Sequence, residues 1–110
     1  MDTLTHYREI VKKVIEEYAD EPDSSGIRTE LVFDEKIDHY ALVETGWEGL
    51  DRIEGMIIHI DIIDGKIWIQ HDGTEQGVAL DLEVLGVPKN HIVLGFHAPV
   101  KRPFTEYAVG

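Results

Sequence analysis

The chain has 110 residues, 43% hydrophobic and 29% charged, a balance that supports one packed core and excludes a disordered chain. With 22 acidic against 10 basic side chains its net charge is −12, which opposes direct binding to phosphate backbones. It contains no cysteine, so disulfides, thiolate nucleophiles and cysteine-ligated metal sites are excluded.

A single domain over residues 1–110 is expected. The opening MDTLTHYREI lacks the basic start and apolar run of a secretory signal. No stretch reaches the roughly 18 apolar residues of a membrane span. A cytoplasmic protein without membrane contact is the expectation.

Tyr7, Ile10, Val11, Val14, Ile15 and Tyr18 recur at the three- and four-residue steps that stack on one helix face. They predict a first helix, capped by Thr3 or Thr5 and stopped by Pro22 in the acidic run DEPDSSG. The segments Arg28 to Asp34 and Tyr40 to Trp47 are rich in Leu, Val, Phe and Tyr and read as two strands of a hairpin. In TGWEG the glycines around Trp47 suggest a turn or bulge, after which Ile53 to Ile63 forms a long third strand.

Asp64-Gly65 separates two isoleucine-rich runs, and a type I′ turn needs positive φ at both of its central residues. A two-residue loop there sets Ile63 opposite Lys66, Ile62 opposite Ile67, Asp61 opposite Trp68, Ile60 opposite Ile69 and His59 opposite Gln70. Ile58, Ile60, Ile62, Ile67 and Ile69 then share one face, a core face. His59, Asp61, Trp68 and Gln70 share the other.

Past the fourth strand, Thr74 caps a second helix from Glu75 to about Leu85, with Val78, Leu82 and Leu85 as its apolar stripe and Gly86 and Pro88 ending it. The apolar run Ile92 to Phe96 reads as a buried fifth strand. The tail HAPVKRPFTEYAVG reads as extended segments with one turn near Thr105, and Lys101-Arg102 as a solvated turn. The predicted class is α+β: an antiparallel sheet of about five strands, an N-terminal helix, and a second helix after the fourth strand.

The search for chemistry is largely negative. No phosphate-binding glycine loop, HExxH or nucleophile elbow occurs. His59 and Asp61, two apart on a strand, could supply two ligands of a metal-dependent hydrolase, but a third must come from elsewhere, and His71 is expected on the opposite face. Asp72 suits a turn into a helix N-terminus. His6, His39, His91 and His97 read as isolated imidazoles, far more often surface hydrogen-bonders than general bases. No catalytic residue, metal or cofactor is expected. Trp47 and Trp68 stand out, because a tryptophan on a partly polar sheet face is either capped by a helix or buried against a partner.

The stretch HIDIIDGKIWIQHDGTEQG, followed by LGVPKNHIVLGFHAP and ending in FTEYAVG, resembles the XisI family, as do HYR near the start and ETGW before the third strand. The resemblance covers nearly the entire chain and is strongest from His59 to Gly110. It implies a small α+β protein controlling excision of the fdxN element, a DNA segment removed by site-specific recombination in cyanobacterial cells. A separate recombinase does the cutting there. It also implies a companion, XisH, of nuclease-like fold, and it supplies no catalytic residues. The expected function is thus a non-enzymatic accessory factor that contacts an XisH-like companion and self-associates, with a dimer favoured. Trp47, His59, Asp61, Trp68 and Gln70 are the expected contact residues.

Overall fold

A computed structural model describes residues 2–19 and 26–110. The elements run α1 (Thr3–Ala19), β1 (Ile27–Asp34), β2 (His39–Glu48), β3 (Asp51–Ile63), β4 (Lys66–Asp72), α2 (Val78–Val84) and β5 (Ile92–Leu94). Short 3₁₀ turns occupy Lys89–His91 and Pro99–Phe104. The strands lie in one sheet in chain order, β1-β2-β3-β4-β5. The α+β class holds, with one departure from an all-antiparallel sheet: β5 runs parallel to β4, because α2 carries the chain back before it re-enters.

Helix α1 buries Tyr7, Ile10, Val11, Val14 and Ile15, the stripe expected from the spacing. Its cap is neither threonine. Asp2 takes the role, its carboxylate accepting the Thr5 backbone N–H at 2.7 Å, as the first-turn donors demand. Pro22 lies outside the described residues. Helix α2 starts at Val78 behind Gly77 rather than at Glu75 behind Thr74. The Asp72 carboxylate explains this: it accepts from the Thr74 N–H and hydroxyl at 3.0 and 2.6 Å and from the Val78 N–H at 2.9 Å, holding 74–77 as a loop. At the other end the Val87 N–H reaches the Leu82 carbonyl and the Gly86 N–H reaches that of Glu83, a Schellman closure.

Asp64 and Gly65 both have positive φ, 49° and 80°, as a type I′ turn requires. The register from Ile63/Lys66 to Ile60/Ile69 is the expected one. Then it slips. Gln70 is the extra residue of a bulge, and His59 pairs with His71 instead. A second bulge leaves Ile57 unpaired between Val43/Met56 and Leu42/Ile58. TGW, by contrast, stays within β2, and the chain reverses at Gly49-Leu50.

Both helices cover the same side of the sheet. Ile58, Ile60, Ile67 and Ile69 are wholly buried there with Tyr40, Leu42, Val78, Leu82 and Ile92. Polar ties fasten α1 to its surroundings: Arg8 spans both oxygens of Asp38 at 2.8 and 3.2 Å, and the Tyr18 hydroxyl donates to Asp81 at 2.6 Å. His91 is no isolated imidazole, since its Nδ1 meets the Tyr7 hydroxyl at 2.5 Å.

Candidate functional site

The sheet's second face has a different cover. Residues 95–110 close the β5 edge and reach back to this face: Ala108 pairs in parallel with Val93, and the Ala108 N–H donates to the Ile92 carbonyl at 2.8 Å. Val93 is wholly buried without belonging to the main core. Arg102, expected on a solvated turn, instead lies 5.1 Å over the Trp68 ring and donates to the carbonyls of His97 and Gly95. Gly110 sits against the same ring, and Lys66 donates to its carbonyl. Trp68 is therefore partly covered by its own chain, which satisfies the need of a half-polar-face indole for a cap.

Next to it the face stays open and polar. Asp61 is the one buried charged residue among those described, 6% exposed. Its Oδ1 meets His39 Nδ1 at 2.6 Å and His59 Nε2 at 2.8 Å, while Gln70 Nε2 donates to Oδ2 at 3.2 Å. Burial of a carboxylate is tolerated only when its lone pairs are filled, and here they are. The Asp61 hydrogen bond, reinforced by its charge, raises the His39 imidazole above its ordinary value. The two imidazole rings stand edge to face, 6.2 Å apart.

His39 is the group the sequence concealed. Counting back from the Gly49-Leu50 reversal would set it opposite Ile60, with the core residues. The Ile57 bulge advances β3 by one place, so that His39 pairs with Asp61 and Ala41 with His59. The bulge in β4 takes Gln70 out of its expected place opposite His59, yet its side chain still reaches Asp61, lying so close over Gly95 that a Cβ there would come within 2.5 Å of its Oε1.

Of the five expected contact residues, His59, Asp61, Trp68 and Gln70 do share one region. Trp47 does not. It lies eight residues from His39 along β2, about 26 Å at the usual strand rise. There the ends of β2 and β3 run beyond the core, and no residue of Val43–Glu48 or of Asp51–Ile57 is buried. This arm exposes Trp47, Leu50 and Met56, with Val32 of β1 exposed farther along opposite Ala41, and the Arg52 guanidinium stacks 5.3 Å from the Trp47 ring.

A five-stranded mixed sheet with two helices on one face and a polar His–Asp–His–Gln cluster on the other defines a small α+β protein of distinctive topology. The XisI protein family model matches residues 1–109, and the chain belongs to that family. It is similar to a XisI-like protein from Anabaena variabilis, with 42% identity, a TM-score of 0.92, and coverage of 97% of this chain and 99% of that one. It is also similar to a second solved protein of that organism, described as fdxN element excision controlling factor XisI. There the identity is 37%, the TM-score 0.87, and the coverage 99% of this chain and 100% of the other. Comparison with curated proteins gives no match.

Proposed function

We propose that this chain is a non-enzymatic accessory factor in site-specific DNA excision, acting by contact with an XisH-like companion protein. Membership of the XisI family and likeness to a protein named as an excision controlling factor support the regulatory part of this reading. The net charge of −12 supports contact with a protein rather than with DNA itself.

The observation that carries it is the arm. Trp47 is 54% exposed, Leu50 97% and Met56 44%, at the end of β2 and β3 where no residue is buried. A tryptophan stacked on an arginine, amid apolar side chains and beside a polar sheet face, is the composition of an interface centre with its rim. The proposed surface runs from Trp47 across Val32 to His59 and Gln70. Asp61 and Trp68 support it from beneath, the first by fixing the imidazoles and the second by anchoring residues 95–110. A homodimer through the arm is the self-associated form.

The test is co-purification of the companion with wild-type protein and with Trp47→Ala, alongside size-exclusion chromatography of each. Loss of companion capture, or a shift to monomer, is the expected result. Capture and elution both unchanged would remove the arm as the contact surface. Cleavage of a DNA or ester substrate by the purified chain would overturn the non-enzymatic reading.

A further inference from the structure

We infer that His39, His59 and Asp61 form a binding site for one divalent transition-metal ion of the zinc class. One ring nitrogen each of His39 and His59 and a carboxylate oxygen of Asp61 all lie within 4.8 Å of one another. They come from two adjacent strands, whose hydrogen-bonded ladder fixes their mutual positions.

Three features argue for a cation at this point. First, both imidazoles aim a ring nitrogen at the same oxygen, at 2.6 and 2.8 Å. Three donors around a tetrahedral zinc ion, each about 2.0 to 2.2 Å from it, stand roughly 3.4 Å apart, so an ion enters as the imidazole protons facing Asp61 pass to the far ring nitrogens or to solvent and the two contacts open by somewhat more than half an ångström. Second, the Asp61 carboxylate is buried, and its only ion-pairing partners among the described residues are those two imidazoles. With both rings neutral the site carries a full negative charge that no lysine or arginine answers, which a divalent ion would offset. Third, Gln70 holds the other Asp61 oxygen at 3.2 Å, the kind of outer hydrogen bond that orients a ligating carboxylate.

Two imidazoles and one carboxylate are a nitrogen–oxygen set suited to zinc and its neighbours and poor for calcium or magnesium. The side chains of His39 and His59 are 52% and 31% exposed. The remaining coordination position faces outward, open to water or to a carboxylate or imidazole of a docking protein. Bound metal would thus stiffen the contact face and need not perform catalysis. This inference does not depend on the companion, because binding is read on the isolated chain.

The experiment is a calorimetric titration of zinc chloride into chelator-treated full-length protein at neutral pH, repeated for His39→Ala, His59→Ala, Gln70→Ala and the control His6→Ala. Saturation at one ion per chain is expected, unchanged in His6→Ala. His39→Ala and His59→Ala should weaken binding by more than about 100-fold and Gln70→Ala by about 10-fold, since a lost ligand costs more than a lost supporting group. Cobalt(II) in place of zinc should give a visible absorption band that disappears with His39→Ala. His39 is half-exposed, so its variant is expected to keep the wild-type circular dichroism and decides the matter even if His59→Ala misfolds. Absence of saturable binding, or affinity that survives His39→Ala, would overturn the site.

Discussion

The two faces of the β3–β4 hairpin are built from alternating residues of one continuous stretch, yet they meet opposite fates. Ile60, Ile62, Ile67 and Ile69 vanish beneath two helices, while His59, Asp61, Trp68 and Gln70 meet one another, His39, residues 95–110 and solvent. Apolar contact without direction suffices on the first face. On the second, each polar atom must find a partner at a set distance, and position becomes specific. One face contributes mainly stability; the other contributes geometry.

Truncating the helix-covered face should produce the largest loss. Ile60→Ala removes a wholly buried side chain from a site closed on all sides and is expected to cost about 3 to 4 kcal/mol in urea unfolding. A cost below about 1 kcal/mol would mean that this face is not the core.

High pH should attack the same side. Burial and a hydrogen bond to Asp81 push the Tyr18 hydroxyl up to about 12, and burial with a hydrogen bond to Glu83 does the same for Tyr107. Tyr40 is raised too, by burial and by Asp38. An unfolded chain ionises its phenols near 10, so above that value it holds fewer protons than the folded chain. The stability tied to these neutral hydroxyls is whole below about pH 10 and is lost as pH rises toward about 12. Phenolate absorbance should therefore appear together with unfolding. Smooth titration of every tyrosine in a still-folded protein would contradict the burial of these hydroxyls.

Asp61→Ala tests the polar face. Its partners are partly exposed and can turn to water, so the expected cost is only about 1 kcal/mol by thermal or urea unfolding. A loss as large as that of Ile60→Ala would erase the contrast between the faces. The smallest effect is expected on the arm: Trp47→Ala should change stability by less than about 0.5 to 1 kcal/mol while abolishing association, the signature of a surface kept for contact.

Much of this architecture is local and was legible. The stripe from Tyr7 to Ile15 predicts α1 because helical spacing needs no distant partner. Asp64-Gly65 predicts the hairpin and its first four pairs because the turn sets the register nearest to it. The parallel entry of β5 and the packing of Arg102 on Trp68 were not legible, since both depend on segments distant in the chain.

The amino-acid sequence by itself determined the number of strands, the isoleucine core face and the polar character of its reverse, since alternation and turn chemistry act over a few residues. Tertiary structure alone decided that His39 joins the polar group. An extra residue at Ile57 shifts the ladder by one place and brings His39 to Asp61, and another at Gln70 sets His71 in place of Gln70 opposite His59. A bulge is chosen by how the whole sheet twists and packs, so a one-residue slip with large chemical consequences leaves no mark in the local pattern.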